Sequence, residues 1–262
     1  PNSGMDAIYD DSNIYSIEYN IANLTNSYKN LNLQYYYSDV DHPMGTNYRV
    51  KGTNPAMVMI SQLQTEMKGL KLKNDFNLFN TKIVLGLDAS KRLWDGTYYR
   101  GGVALVDSVI LTSKSINNAV TKNKAIFIKT ERKYTNFDVT SGLRYDRTSI
   151  GSDDITMQNN DYSALSANIF TTYHLDNQSN LFFGLGQASR VPDARELYFK
   201  KNNMMVVPTA IVTNGNDQLK DTTNREIDFG YELKNDSINF KVKGFYSDLK
   251  DYIYFNGMTF SN

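Results

Sequence analysis

The stretch "FDVTSGLRY" at residues 137–145 changes character at nearly every step. Phe137, Val139, Leu143 and Tyr145 are apolar, and Asp138, Thr140, Gly142 and Arg144 between them are polar or small. A period of two puts the first set on one side of a β-strand and the second set on the other. Working outward, the same pattern recurs along the chain. In Ile14–Leu24 the residues Tyr15, Ile17, Tyr19 and Ile21 alternate with Ser16, Glu18 and Asn20; in Asn30–Ser38 Leu31, Leu33, Tyr35 and Tyr37 alternate with Asn32, Gln34, Tyr36 and Ser38. Thr81–Ser90, Leu165–Tyr173, Leu181–Gln187, Arg225–Leu233 and Ile238–Tyr246 follow suit, with weaker versions at 57–72 and 125–133. A last strand is expected to start near Asp251. The total is about eleven strands and no convincing helix.

The links between these strands carry the next step. "TNSYK" (25–29), "KNDFNLFN" (73–80), "KYTN" (133–136), "LDNQSN" (175–180) and "KNDS" (234–237) are short and rich in Asn, Asp and Ser. Between them fall long links at 40–56, 95–122, 148–161 and 189–223. Short and long links alternate, so all short turns lie at one end of the sheet and all long loops at the other. That asymmetry, with one apolar and one polar face per strand, is what an outer-membrane barrel requires. The expected fold is all-β, an antiparallel up-and-down meander forming part of a transmembrane β-barrel. Glu18, Gln34, Asp88, Asp138, Arg144, Asn168, Glu226 and Asp228 are expected in the lumen. Tyr37, Trp94, Tyr145, Tyr162, Tyr173, Phe183 and Tyr246 are expected in aromatic girdles at the membrane surfaces. A soluble all-β protein fits the alternation alone, because half-buried sheets share it.

Composition narrows the chemistry. Among 262 residues there are 28 basic and 28 acidic side chains, so charge points to no nucleic-acid partner. Cysteine is absent and only His42 and His174 are histidines, which removes thiol catalysis and most imidazole chemistry. Tyrosine is abundant, at 19 residues, and suits strands with one wet and one dry end. No apolar run approaches the roughly 20 residues of a spanning helix, a test to which membrane strands are blind.

The segment "ASRVPDARELYF" (188–199), followed by "NGNDQLKDTTNREIDFGYEL" (214–233), resembles the TonB-dependent outer-membrane receptors. In that pattern a strand ends in Arg-x-Pro, Glu-Leu-Tyr follows, and Gly-Asn-x-x-Leu-Lys leads into a returning strand. Arg190, Pro192, Glu196, Leu197 and Tyr198 match the first part; Gly215, Asn216, Leu219 and Lys220 match the second, with Glu226 and Gly230 on the returning strand. Asp221 and Thr222 stand where the family usually carries Pro-Glu. "GLRYDRT" (142–148) and "SDLKDYIYF" (247–255) also look like strand endings of such receptors. The resemblance implies active import, energised through TonB, of a ferric siderophore, haem, cobalamin or a metal complex across the outer membrane of a Gram-negative bacterium, with outer-membrane lipid around the barrel. Family barrels have about 22 strands around a plug domain, so residues 1–262 are expected to be a barrel fragment, about 11 of those strands, without the plug. A passive porin or a soluble β-rich surface binding protein is the alternative.

Candidate site residues follow from the long loops. Arg190, Asp193 and Glu196 at the start of the 189–223 loop, with Met204 and Met205 farther out, are the candidate ligand contacts; a structural ion-pair network at the barrel rim is the alternative for the charged residues. His42 and Met44 in "DHPMGTNYR" (41–49) could serve as borderline and soft metal ligands, in a segment that loosely resembles a His-x-Met stretch of metal-importing family members. Asp153 and Asp154 read as a solvated turn. Gly184-x-Gly186 is no phosphate loop, since no helix follows it. No nucleophile, base and orienting group stand at usable spacing, and no cofactor is expected.

Overall fold

The computed structural model describes residues 5–46, 58–100, 111–202 and 211–255. Along them run β1 (Asp6–Ala7), β2 (Asp11–Ala22), β3 (Tyr28–Asp41), β4 (Met44–Gly45), β5 (Met59–Leu78), β6 (Thr81–Arg100) and β7 (Leu111–Lys133). Then come β8 (Phe137–Gly151), β9 (Asn160–His174), β10 (Ser179–Arg190), α1 (Ala194–Tyr198), β11 (Lys200–Asn202), β12 (Ile211–Asn214), β13 (Thr222–Lys234) and β14 (Asn239–Lys250). Twelve strands form one sheet and β11 with β12 form a separate hairpin. Every pairing is antiparallel; the long strands pair in chain order, β10 with β13 across the 191–221 link, and β1 and β4 continue the β2–β3 hairpin upward. The meander expected from the link lengths is therefore the observed topology. The sheet is open, since β2 pairs only with β3 and β14 only with β13.

The short links are tighter than the sequence suggests. "KNDFNLFN" is mostly strand: β5 runs to Leu78, and the reversal uses only Phe79 and Asn80, with φ of 51° and 58°. Two positive φ values are what a two-residue hairpin with right-handed twist needs, and Asn accepts that geometry better than most residues. At the other end, β5, β6 and β7 reach 20, 20 and 23 residues, beyond the roughly ten a membrane strand needs. Much of the long-link sequence is thus a continuation of the wall. No strand is seen at 252–255, where a last one was expected; β14 ends at Lys250 and Asp251 turns away with φ 54°.

Alternation assigns the two faces. Arg144 Nη2 lies 3.8 Å from Asp88 Oδ2, and both Arg144 and Lys71 approach the Phe127 ring, so these share one face. Leu85, Leu87, Ile126, Leu143, Tyr145, Leu165, Ile169, Phe183 and Leu185 are exposed on the other. An outward face of bare Leu, Ile and Phe is costly in water and favourable against lipid. The inward face is not purely polar. Rings of Tyr36, Phe127, Phe170 and Phe182 cover Gly69, Gly86, Gly184 and Gly230 on the adjoining strands. The glycines leave the space that the rings occupy, an aromatic cover of the kind that pins register in sheets.

Two girdle expectations are corrected. Trp94 and Tyr162 lie on the inward face, packed with Ile116, Ala119 and Ile150 against Ala194, Leu197 and Tyr198 of α1. The single-layer wall has no interior of its own, so the main buried cluster forms where α1 lands on it. Tyr145, Tyr173, Phe183 and Tyr246 are exposed outward as expected.

Candidate functional site

The link from β10 to β13 begins with a short helix that was not anticipated. Asp193 is its N-cap: its carboxylate accepts from the Arg195 N–H at 2.9 Å, and Glu196 reaches back to the Asp193 N–H at 2.7 Å. This reciprocal capping box is the sequence signature Asp-x-x-Glu, present at 193–196. Pro192 just before it is fully buried. Arg190 holds Glu196 through two parallel bonds of 2.9 and 2.8 Å, and Arg92 Nη1 on β6 holds Asp193 at 3.1 Å. Arg92 also lies 4.4 Å over the Trp94 ring. Burial alone would raise the Glu196 carboxyl, but Arg190 and the Asp193 N–H outweigh it and hold it below the ordinary carboxylate range.

At the end of the helix, Tyr198 is a buried anchor. Its hydroxyl lies 2.8 Å from the Ile150 carbonyl and 3.1 Å from the Gln158 carbonyl, and accepts from Asn160 Nδ2 at 3.3 Å. The second half of the motif closes onto the first. Gly215 N–H donates to the Phe199 carbonyl at 2.6 Å, and Asn216 N–H to the Glu196 carbonyl at 2.9 Å. Leu219 packs on the buried cluster while its carbonyl accepts from Tyr162 Oη at 2.8 Å. Asp217 accepts from the Gln158 N–H at 2.7 Å. The two motif halves, 190–198 and 215–220, are thus one knot tied to the inward face of β6–β9.

Beyond the knot, Lys200 Nζ lies 2.5 Å from Asp154 Oδ2. Burial opposes ionisation of Asp154, yet Lys200 and two donors from Thr156 prevail and lower its pKa to about 2. Asp154 is therefore an anchor point for the base of the β11–β12 hairpin and not a free turn. Met204 and Met205 fall outside the described residues. The structure places Arg190, Asp193 and Glu196 together, with their charges directed at one another and at Arg92.

His42 and Met44 lie elsewhere, at the top of β3–β4. His42 N–H donates to the Leu63 carbonyl at 3.0 Å, and Met44 stands opposite Ser61. The ladder therefore continues through "DHPMG", and both side chains occupy the same face. His42 Nδ1 is 3.5 Å from Asp10 Oδ2. Met59, two residues from Ser61 on β5, shares that face and sits diagonal to Met44. Among the described residues no three of His, Cys, Asp and Glu gather into a metal-binding group.

Among solved structures, the copper transporter OprC matches 95% of this chain and 40% of its own, with a TM-score of 0.78 and 21% identity. The FrpB iron transporter of Neisseria meningitidis (F3-3 variant) aligns at TM-score 0.64 and 15% identity over 92% of this chain and 37% of that one. The ferric yersiniabactin receptor FyuA of Yersinia pestis aligns at TM-score 0.60 and 12% identity over 93% and 36%. The chain thus spans about two-fifths of the length of these proteins, and the likeness is one of fold. No curated protein sequence matches it. The model of the family described as TonB dependent receptor-like, beta-barrel matches residues 1–262, the full extent of the meander and of the knot that closes its loop, and the chain belongs to that family.

Proposed function

We propose that the protein to which this barrel wall belongs is an outer-membrane uptake receptor, not an enzyme, energised through TonB and carrying a metal ion, a ferric siderophore or a similar scarce nutrient past a plug domain. The family match over 1–262 carries this reading. The knot supports it, because a loop fixed on the inward face stands where it frames the lumen mouth. Arg190, Asp193 and Glu196 then serve cargo by fixing the loop, while Met204 and Met205 supply contacts to it. The test is uptake of radiolabelled iron and copper, offered as the ion and as siderophore complexes, by cells expressing the full-length receptor with and without TonB. Accumulation that is the same in both strains sinks the energised reading.

Copper is the second reading, favoured by one local observation. His42 and Met44 alternate onto one face beside Met59, and Asp10 stands near Nδ1, leaving Nε2 for a metal. A carboxylate behind a ligating imidazole fixes its tautomer, and thioether sulfur favours Cu(I). The similarity to a copper transporter points the same way. Met44→Leu in the full-length receptor should weaken Cu(I) binding while sparing uptake of ferric complexes; unchanged Cu(I) affinity removes Met44 from the site.

A further inference from the structure

Above the outward apolar band, toward the long-loop end, β5–β8 present a run of basic side chains. Lys68 stands directly opposite Lys91, Lys91 opposite Lys122, and Lys124 opposite Arg147. Directly opposed residues share a face, as do Lys122 and Lys124 two apart on one strand, so all five form one patch. Lys91, Lys122, Lys124 and Arg147 are exposed. One alternation step below them lie Ala89, Ile126 and Tyr145, and Leu87 beside Ile126, a rise of about 7 Å along the strand. The patch therefore begins where the lipid-facing band ends.

Four of its five charges are not neutralised by the protein. Lys68 has Glu66 at 2.9 Å. Among the described residues Lys91, Lys122, Lys124 and Arg147 have no carboxylate within ion-pair distance, whereas Arg92, Arg144, Arg190, Lys200 and Lys243 each have one. The nearest acids by register are Asp161, opposite Ser149 and one step from Arg147, and Glu66, opposite Leu93 and one step from Lys91; neither makes an ion pair with those two side chains. Like charges directly across a sheet repel. Three such pairs on neighbouring strands, with only Lys68 offset by a carboxylate, ask for an anion from outside the chain.

We propose that this patch binds the phosphate groups of an anionic lipid headgroup in the leaflet on the long-loop side. The height selects a lipid: an anion there has its acyl chains level with Leu87, Ile126 and Leu143. Arg147 offers a planar fork that matches phosphate, and the lysines act as point charges around it. Tyr145, whose hydroxyl donates to Ser163 at 3.2 Å, lies at the headgroup level that tyrosine favours. The inference rests on the outward face being the lipid face and is independent of the imported cargo.

The test uses the full-length receptor in phosphatidylcholine nanodiscs, titrated with lipid A, a phosphorylated glycolipid, and separately with inorganic phosphate. Lys91→Gln, Lys124→Gln and Arg147→Gln are made singly and together, with Lys129→Gln on the inward face of β7 as control. Each outward substitution should weaken lipid A binding about fivefold, the change equivalent to about 1 kcal/mol per basic side chain at an anionic surface, and Arg147→Lys should lose less than Arg147→Gln. The control should match the unaltered protein, and phosphate alone should neither bind measurably nor displace lipid A. The heat-dependent shift of the folded barrel on gels reports folding of each variant. Unaltered lipid A affinity in the folded triple variant overturns the proposal, as does an equal loss in Lys129→Gln. Inorganic phosphate bound as tightly as lipid A overturns the lipid assignment.

Discussion

Gly215 has no room for a side chain. A Cβ there would lie 2.5 Å from both the carbonyl carbon and oxygen of Leu197 and 2.8 Å from Tyr198 N. All three are backbone atoms at the end of α1, which cannot swing aside as a flexible side chain would. Gly215→Ala should therefore part the two halves of the knot at a cost of about 1–3 kcal/mol, the usual range for overpacking; faster proteolytic cleavage within 199–220 of the folded receptor would show it. A second residue-scale prediction follows from Asp154. Its folded pKa of about 2 lies below the ordinary 3.8, so its pairing with Lys200 contributes stability that is present above about pH 4 and fades as pH falls toward 2. Asp154→Asn should abolish that acid-dependent loosening of the hairpin base. Protection from hydrogen exchange at 200–202 across this interval is the measurement, and an identical acid profile in the variant counts against the pair. Of these roles the sequence showed only the motif residues. Arg190, Pro192, Glu196, Tyr198, Gly215 and Asn216 were legible as a pattern, but a pattern does not say that Glu196 is held by Arg190 or that Arg92, some 100 positions upstream, completes the network. The Asp-x-x-Glu capping signature at 193–196 was the one local sign of a helix there.

At the scale of elements, the strands were legible because a wall one layer thick imposes a period of two on every segment. Their upper ends were not, and for a physical reason. Above the membrane the outward face meets water, so the alternation of apolar and polar that marks a strand disappears while the hydrogen-bonded ladder continues. Residues 95–100 of β6 and 111–122 of β7 show this, reading as loop yet pairing along most of their length. Trp94 and Tyr162 were placed outward because aromatic residues near strand ends usually mark the interface; here the docked helix gives them an apolar neighbour on the inside. The faces assigned to β8 can be tested directly. Val139 shares the outward face of Leu143 and Tyr145, whereas Thr140 shares the inward face of Arg144. An arginine on the lipid face near the bilayer midplane costs about 2–4 kcal/mol. Val139→Arg should therefore reduce assembly of the receptor in the outer membrane, measured as the folded fraction, far more than Thr140→Arg. Equal assembly of the two would contradict the facing.

For the whole molecule, the knot divides the 189–223 link into a fixed base and a top that extends beyond it. The base holds its place through Tyr198, the capping box and Gly215, all on the inward face, so it is part of the barrel wall in all but name. The top begins at Lys200 and returns at Asn214, and these two are cross-strand partners. That geometry permits a clean excision: residues 201–213 can be replaced by a tight Asn-Gly turn without moving either end. Fixing residues outside the sheet costs roughly 1–2 kcal/mol each in backbone entropy, and long loops are retained where they bind something or shield something. If it contacts cargo through Met204 and Met205, its excision should lower cargo affinity at least tenfold while surface abundance stays normal, because the knot remains. If it only shields the mouth, affinity should stay unchanged and passive permeation of small solutes through the full-length receptor should rise. Measuring abundance, affinity and permeation on the same cells separates the two roles. Loss of abundance would instead show that the fixed base depends on the hairpin above it, against the division drawn from the Lys200–Asn214 pairing.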